Sequence, residues 1–483
     1  MPHFFPSTLS RPAGFLAALG LLATPGAAQG QAPASFGAAT TYSAGSSTSP
    51  IGIAVGDVNG DGLADLVTAN SGTNSVSVLA GQAGGGFAPA ISYATGNGGT
   101  PLSVAVADVN GDGRLDILAG NSNNSTVSVL LQQAAGGFAP VAVYSTGSGT
   151  RPAAVVVADV NGDGRPDIVT ANYASSNVSI LPGQAGGTFA PASAYDAGTN
   201  SQPNGLAVAD VNGDGRPDIV TANYASSTAG VLLAQASGGF AAPLTYSTGA
   251  GSQPAGIAVT DVNGDGRPDL VTANLASNTV GVLLGQSAGG FAPVVLYNSG
   301  LSTNPQAVAV ADVNGDRRPD IIIVSYYRLV GVLLGQAGGG FPAIVTFFTG
   351  TNNTPRALAA ADVNGDGRPD IITANQGSDT AGVLLNTGTF TTLAATPGAP
   401  AADVTLFPNP ARGSFAVQLP AAWGAASVRA ELLNALGQVA ATRTTQTTAG
   451  APLIMETAGL SAGIYTLRLH AGGHALTKRV VVE

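Results

Sequence analysis

Apolar residues along this chain occur in short runs separated by Gly, Pro, Ser and Asn. Residues 255–262 alternate small and branched side chains, residues 270–273 form a β-branched run, and residues 279–284 and 291–297 form two more runs. Short runs of this kind, bounded by turn-forming residues, predict β-strands. The pattern therefore predicts four short strands in about 50 residues and no long amphipathic helix.

The same unit recurs along the chain. A nine-residue polar loop lies between the first two predicted strands of each copy, and successive loops begin 51 residues apart, except for the last step of 50. Four strands in about 50 residues is the size of a propeller blade. Seven copies therefore predict an all-β fold, a seven-bladed β-propeller of four-stranded blades.

The recurring loop has Asp at its first, fifth and ninth positions and Asn at its third. In the first copy these residues are Asp57, Asp61, Asp65 and Asn59, and by analogy with known calcium loops the backbone carbonyl of Leu63 adds a fifth oxygen ligand. Oxygen-only ligands favour calcium, because zinc prefers His and Cys and magnesium rarely uses an all-protein cage. In the other loops the position-seven residue is an Arg, which would again act through its backbone carbonyl. The residues predicted there are Asp108, Asn110, Asp112, Arg114 and Asp116; Asp159, Asn161, Asp163, Arg165 and Asp167; Asp210, Asn212, Asp214, Arg216 and Asp218; Asp261, Asn263, Asp265, Arg267 and Asp269; Asp312, Asn314, Asp316, Arg318 and Asp320; and Asp362, Asn364, Asp366, Arg368 and Asp370.

Three other interpretations of this loop are less consistent with its residues. Asp, Asn and Gly also form simple turns, but a turn does not require three carboxylates in one register seven times. An EF-hand needs Glu at position twelve, where Thr68, Ala119 and Thr170 stand here. A dockerin loop leads into a helix, whereas these loops lead into β-branched runs. About seven bound calcium ions are therefore expected.

Charge and residue types argue against catalysis and nucleic-acid binding. The loops hold 21 of the 27 acidic residues, and seven divalent ions would change the formal charge from −10 to +4. The repeats contain no His, Lys, Cys or Trp, and their only acids outside the loops are Asp196 and Asp379. A Ser-His-Asp triad is thus excluded there, and a basic groove is missing. We expect a non-enzyme without nucleic-acid partners.

The N-terminal segment predicts export. Residues 13–23 form a short apolar run after Arg11, and Ala27-Ala28 follows as a cleavage site, so residues 1–28 are interpreted as a signal peptide. Eleven residues cannot span a bilayer, and no transmembrane segment is expected. The chain has no Cys, so calcium would take the place of disulfides in stabilising a secreted chain.

The repeats resemble a known family. The Gly-Gly-Phe motif, the loop Asp-Val-Asn-Gly-Asp-Gly-Arg-Pro-Asp and the 51-residue spacing are similar to FG-GAP/VCBS repeats of integrin-type propellers, over about residues 36–392. The resemblance implies a propeller domain at residues 29–392 with calcium in its loops. It implies little about activity, because such propellers occur in adhesion receptors, lectins and accessory domains.

The C-terminal residues resemble a second family. Residues 393–402 have the composition of a linker, and the motifs at 406–410, 433–437, 460–465 and 477–482 are similar to those of the type A sorting domain of type IX secretion. This resemblance implies a small Ig-like β-sandwich at residues 403–483, the type IX machinery as a partner, and the surface or surroundings of a Bacteroidota-type bacterium. An ordinary Ig-like adhesive domain is the alternative.

Three functions stay open on this evidence. The first is a secreted or cell-surface adhesion module that binds glycans or a cell-surface protein. The second is a calcium-stiffened scaffold on the cell surface. A calcium-dependent polysaccharide lyase is the remotest of the three.

Two further expectations concern geometry. The Phe motif occurs eight times for seven loops, so we expect the copy at Phe36 to complete the last blade and the copy at Phe390 to be unused. In integrin-type blades the calcium loops lie on one face, so the more variable turns between strands two and three would lie on the other. The residues there expected to contact a ligand are Tyr173, Tyr224, Tyr326, Tyr327 and Arg328. Packing between neighbouring blades is the alternative role of the tyrosines.

Overall fold

The computed structural model of the protein describes residues 33–388 except 97, 288–289, 301–302, 337–338 and 343. It also describes residues 405–418, 426–433, 439–447, 453–457, 460, 463–471 and 474–482. The chain divides into two compact units, Met1–Thr391 and Thr392–Glu483. The expected signal peptide and linker, at residues 1–28 and 393–402, lie outside the described residues.

The first unit consists of seven four-stranded antiparallel sheets. Its first strand, β1 (Thr40–Ser43), precedes six blades made of consecutive strands. Blade 1 comprises β2 (Pro50–Gly56), β3 (Asp65–Asn70), β4 (Ser75–Leu79) and β7 (Ile91–Ala94), with the short ribbon β5 (Gly81–Gln82) and β6 (Gly86–Phe87) between its last two strands. Blade 2 comprises β8 (Pro101–Ala107), β9 (Asp116–Asn121), β10 (Thr126–Leu130) and β11 (Ala142–Ser145). Blade 3 comprises β12 (Pro152–Ala158), β13 (Asp167–Asn172), β14 (Asn177–Leu181) and β17 (Ser193–Asp196), with the ribbon β15 (Gly183–Gln184) and β16 (Thr188–Phe189).

The next three blades repeat this arrangement. Blade 4 comprises β18 (Pro203–Ala209), β19 (Asp218–Asn223), β20 (Thr228–Leu232) and β21 (Leu244–Ser247). Blade 5 comprises β22 (Pro254–Thr260), β23 (Asp269–Asn274), β24 (Thr279–Leu283) and β25 (Val295–Asn298). Blade 6 comprises β26 (Pro305–Ala311), β27 (Asp320–Ser325), β28 (Leu329–Leu333) and β29 (Val345–Phe348).

Blade 7 is built from both ends of the repeat region. Its first three strands are β30 (Pro355–Ala361), β31 (Asp370–Asn375) and β32 (Thr380–Leu384), with a 3-10 turn at Gln376–Ser378. Strand β1 is the fourth, pairing antiparallel with β32 so that Thr41 lies opposite Gly382. A further bridge joins Phe36 to Asn386. The expected closure by the N-terminal copy is therefore confirmed, and Phe390 lies outside the described residues.

Neighbouring blades are joined by edge-to-face aromatic pairs. The Phe of each blade's motif packs against an aromatic residue on the fourth strand of the preceding blade; for Tyr144 and Phe189 the ring centroids lie 5.3 Å apart at 79°. Such pairs add to the stability that comes from apolar burial. The pairs are Tyr42–Phe87, Tyr93–Phe138, Tyr144–Phe189, Tyr195–Phe240, Tyr246–Phe291, Tyr297–Phe341 and Phe347–Phe36.

Small residues allow the blades to converge at the centre. The first strand of each blade packs beside the first strand of the next, and β30 packs beside β2, so that the seven strands form a closed ring. A Cβ atom added to Gly205 would lie 3.1 Å from the Cα of Gly256. Such a contact is tighter than carbon atoms tolerate without movement, which explains why only Gly, Ala or Ser occupies this position.

The second unit is a seven-stranded arrangement in the order β36-β35-β38-β39-β33-β34-β37. Its strands are β33 (Thr405–Arg412), β34 (Ser414–Gln418), β35 (Ala426–Leu433), β36 (Val439–Thr447), β37 (Leu453–Glu456), β38 (Gly463–Ala471) and β39 (His474–Val482). Strand β33 pairs antiparallel with β34 and, through Ala411 and Val482, parallel with β39. Phe415 and Met455 from one end of this order share a single core with Leu432, Leu467 and Val480 from the other, as in a β-sandwich. No helix within the described part of the chain is long and apolar enough to cross a membrane.

Candidate metal loops and the opposite face

The seven aspartate loops occupy equivalent places in the propeller. Each connects the first strand of a blade to the second, and the position-nine aspartate is the first residue of that second strand, as Asp65 is of β3. Because the blades are arranged in a ring with their first strands innermost, all seven loops emerge on one face. We call it the aspartate-loop face.

The position-one carboxylate holds the loop in its turn. In blade 3, Asp159 accepts hydrogen bonds from the backbone amides of Gly162 at 2.7 Å, Asp163 at 3.2 Å and Gly164 at 2.8 Å. Asn161 Oδ1 accepts from the Asp163 amide at 2.8 Å. These bonds curl the backbone around the oxygen atoms. The Asp and Asn residues are therefore partly explained by the loop conformation alone.

Six of the seven position-seven residues are Arg, and their side chains add a contact that the sequence did not predict. In blade 3 the Arg165 Nη2 lies 2.5 Å from Asp163 Oδ2, and its Nε donates to the carbonyl of Gly183 at 2.9 Å. The pairing recurs in Arg114–Asp112, Arg216–Asp214, Arg267–Asp265, Arg318–Asp316 and Arg368–Asp366. In the first loop, Leu63 stands at this position and is 38% exposed.

The position-nine carboxylate is fully buried in every loop. In blade 3, Asp167 accepts from the amides of Val160 at 3.1 Å and Gly183 at 2.7 Å, and so links the loop to the end of the third strand. Burial raises the pKa of this carboxyl, backbone hydrogen bonds oppose the shift, and the negative charges at positions five and one add to it. The pKa is raised in the same way at Asp65, Asp116, Asp218, Asp269, Asp320 and Asp370.

The sixth loop differs from the others in two respects. Arg317 replaces the position-six Gly and adopts a left-handed φ of 66°. Asn314 is only 2% exposed, and Asn386, just beyond β32, donates to the carbonyl of the preceding Val313 at 2.8 Å. Burial raises the pKa of Asp320 to about 7.

The oxygen atoms suit a hard cation in type but do not form a finished cage. Within the described residues, no group of three acidic or histidine side chains converges closely enough to hold a metal ion. The position-five carboxylate is turned to its Arg in six loops, and the position-nine carboxylate to backbone amides. Binding of calcium would therefore require these side chains to turn towards one point.

The turns between strands two and three lie on the opposite face, which we call the turn face. The amide of Tyr173, in the turn after β13, donates to the carbonyl of Arg151, which immediately precedes β12, at 3.1 Å. Tyr224 and Tyr326 make the equivalent bonds to Gln202 and Asn304. The variable turns and the segments that enter each blade thus share this face, as the sequence indicated.

The tyrosines of the turn face fall into two groups. Tyr173 and Tyr224, from neighbouring blades, are half-buried and contact each other with ring centroids 6.2 Å apart. Tyr326 and Tyr327 are 38% and 56% exposed and contact each other at 5.5 Å. Arg328 follows them in the same turn, exposed and with a φ of 68°. Packing between blades therefore accounts for the first pair. In the second pair, Tyr326 contacts Arg356 of blade 7, whereas Tyr327 is the more exposed of the two rings.

A central cavity of about 560 Å³ lies where the first strands converge. Every first strand shifts register by one residue after its opening Pro, and the extra residue of this bulge lines the cavity. A bulge re-aims a side chain. The seven residues are Ile51, Leu102, Ala153, Asn204, Ala255, Gln306 and Arg356. Sequence reasoning overlooked them, although comparison of the residues that follow each repeat's Pro would have shown three polar side chains in an otherwise apolar set.

Family comparisons agree with this geometry. The FG-GAP-like repeat model matches residues 57–119, 110–170, 159–221, 210–272, 261–323 and 312–373, so that each match covers all or most of two successive aspartate loops. The chain therefore belongs to the FG-GAP repeat family. Residues 405–483 match the secretion system C-terminal sorting domain. The protein is thus a repeat propeller that is secreted or displayed at the cell surface, with its C-terminal domain addressed to type IX secretion machinery.

A solved structure with a TM-score above 0.5 shares the fold at low sequence identity. BBS1N in complex with ARL6DN, soaked with lead, has a TM-score of 0.51 at 13% identity and covers 73% of this chain and 97% of that one. Raptor of Chaetomium thermophilum has a TM-score of 0.49 at 11% identity and covers 74% of this chain and 30% of that one. No curated protein sequence matches the chain. At 13% identity the likeness to BBS1N concerns the fold only.

Proposed function

We propose that the protein is a calcium-stabilised, non-catalytic binding module that recognises a glycan at or outside the cell surface. The observation that carries this proposal is the contrast between the two faces. One face repeats the same carboxylate loop seven times, whereas the other presents turns of differing sequence with an exposed tyrosine pair, Tyr326 and Tyr327, beside Arg356. Variable turns on a rigid repeated frame are a common place for recognition.

Calcium would be held by the loop oxygens at positions one, three, five, seven and nine, as in Asp159, Asn161, Asp163, the carbonyl of Arg165 and Asp167. The ion would supply charge neutralisation and a cross-link between the ends of two strands. Burial of Asp167 beside two other carboxylates supports this role, because such a group is stabilised by an adjacent cation. The protein's own contribution is the curled backbone that already orients positions one and three.

An array of bacterial, plant and animal glycans, probed with the secreted protein in millimolar calcium and again in excess chelator, tests this function. We expect binding to a defined set of glycans in calcium and loss of that binding on chelation, because the turns depend on an intact ring. Binding of the same set in a melted or calcium-free protein would contradict the proposal.

A calcium-stiffened scaffold is the second candidate. The contact between Tyr173 and Tyr224 favours it, since residues expected to meet a ligand are engaged in joining two blades. The array distinguishes the two functions: a scaffold keeps its calcium-dependent stability and binds no glycan.

A further inference from the structure

We propose that Arg356, at the centre of the turn face, recognises the carboxylate of an acidic sugar, a uronate residue at the end of a saccharide chain. This proposal rests on the proposed function and specifies its ligand. The site consists of the central cavity, the bulge residues Gln306 and Arg356, and the adjoining side chains of Gln376 and Tyr326.

The guanidinium of Arg356 is held in place without an acidic partner. Its Nε donates to Gln376 Oε1 at 2.7 Å and its Nη1 donates to Gln306 Oε1 at 3.0 Å. No acid is paired with it in the part of the chain that the structure describes, whereas six arginines of the aspartate-loop face each contact an Asp. A half-buried cation fixed by neutral amides retains its full attraction for an anion.

Aromatic surface lies beside this cation. The Cζ of Arg356 is 5.2 Å from the centroid of the Tyr326 ring, and Tyr327 makes an edge-to-face contact with the same ring. The contact with Tyr326 positions the guanidinium further. Both rings stay partly exposed, so they can pack against the apolar face of a sugar whose carboxylate meets the Arg.

The remaining lining favours a saccharide over a peptide. The cavity of about 560 Å³ is within the range of small-ligand sites, and the bulge ring adds the amide side chains of Asn204 and Gln306. Each amide nitrogen already donates once, Asn204 Nδ2 to the carbonyl of Ala255 at 2.9 Å and Gln306 Nε2 to that of Asn304 at 3.1 Å. Its second N–H can donate to a sugar hydroxyl. A peptide carboxylate is more commonly bound by a nest of backbone amides, and none of the contacts to Arg356 is of that kind. Because seven strands surround the cavity, a terminal residue can enter more readily than the middle of a chain.

Isothermal titration of the secreted protein with tetragalacturonate in saturating calcium tests the site. The matched ligand is the same tetramer with its carboxylates reduced to alcohols. We expect at least tenfold weaker binding for Arg356→Gln, for Tyr326→Ala and for the reduced tetramer. Arg356→Lys should be intermediate, because a lysine keeps the charge but lacks the planar fork. Arg151→Gln, which removes an exposed Arg from the same face outside the cavity, should bind within twofold of the parent.

The possible results distinguish failure of the Arg356 site from failure of the proposed glycan binding. Tetragalacturonate binding that Arg356→Gln leaves unchanged, with the same melting temperature as the parent, overturns the site while the glycan-binding function stands. Binding of neutral glycans on the array without tetragalacturonate binding overturns the acidic-sugar class alone. Binding of an acidic peptide in place of the tetramer also overturns it, and absence of every glycan on the array removes the function itself.

Discussion

The two faces of the propeller differ in how much their residues vary between repeats, although every repeat contributes to both faces. On the aspartate-loop face, seven copies keep three Asp and one Asn in a fixed register, and equivalent backbone amides donate to the position-one Asp of each. On the turn face, the extra residue of each β-bulge varies from Ala to Arg, and the turns vary from Ser-Gly to Tyr-Tyr. The residues that the loop conformation requires are thus the same in every repeat, whereas the residues that are free to contact a ligand differ between repeats.

The difference has a physical origin. The position-one carboxylate accepts from several backbone amides through both of its oxygens, so a side chain with a single acceptor atom would leave some of these donors without a protein partner. A side chain that projects into the central cavity does not have to accept hydrogen bonds from the backbone, because its strand is held by backbone pairing with the next strand. The aspartate-loop face should therefore respond to treatments that affect stability, and the turn face to those that affect binding.

Removal of calcium is expected to have the largest effect on stability. Each ion present at about 100 times its dissociation constant adds roughly 2.7 kcal/mol, so seven sites together would exceed the stability of an ordinary domain. Thermal melting in millimolar calcium and in excess chelator measures this. We expect a large fall in the midpoint on chelation; an unchanged midpoint would refute calcium binding at the loops.

Opening the ring should have the second largest effect. Deletion of residues 29–45 removes β1, its four paired residues with β32, and the Phe36–Phe347 contact. The deletion also disturbs a contact just after the cut. In the intact protein the carboxylate of Asp379 accepts hydrogen bonds from the backbone amides of Ser47 and Ser49 at 3.0 and 2.7 Å. We expect a lower melting temperature in both calcium and chelator. A deletion variant that melts like the parent would show that β1 does not close the ring in solution.

Much of this architecture could be predicted from the sequence, because periodicity reports on it directly. The 51-residue spacing and the alternating runs fixed the number of blades, and the surplus Phe36 motif identified the closing strand. Specific contacts between side chains were not predictable in this way. Arg356 meets Gln306 from blade 6 and Gln376 from its own blade only after the ring has formed, and Arg165 differs little in sequence from any solvated arginine.

Loss of one aromatic pair should come third. Phe189 is 6% exposed and packs on Tyr144 of the preceding blade, so Phe189→Ala should cost about 3–5 kcal/mol of unfolding free energy. Ile91→Ala, at a side chain 61% exposed, is the matched control and should cost far less. Urea unfolding of both variants gives the comparison. Equal costs at the two positions would mean that the aromatic ring contributes little to blade association.

The metal-free protein should lose stability as pH rises. Burial raises the pKa of Asp320 from its ordinary 3.8 to about 7, so the folded state favours the protonated carboxyl. Its contribution to stability is therefore complete below about pH 4 and is lost as pH rises through about 7. Urea unfolding at pH 5 and pH 8 in chelator should show lower stability at pH 8. Stability that instead rises over this interval would contradict the burial of these carboxyls, and Asp320→Asn should weaken the dependence.

The smallest effect concerns one backbone angle within the aspartate-loop face. Arg317 holds a φ of 66°, where the other loops have Gly, and this conformation costs a non-Gly residue about 1–2 kcal/mol. Arg317→Gly should therefore stabilise the sixth loop and tighten its calcium binding by about tenfold, as measured by competition with a chelating dye. The reciprocal variant, Gly266→Arg in the fifth loop at a φ of 83°, should weaken its own site by a similar factor.

Because both substitutions change charge as well as conformation, Arg317→Ala and Gly266→Ala separate the two causes. If backbone strain is responsible, Ala at position 317 should resemble Arg, since it has the same left-handed cost, and Ala at position 266 should weaken calcium binding as Arg does. If repulsion between the guanidinium and the ion is responsible, Arg317→Ala should tighten binding as much as Arg317→Gly. The buried Asn314 and the covering Asn386 distinguish the sixth loop in either case, so the Gly266 pair measures the strain where the surroundings are ordinary.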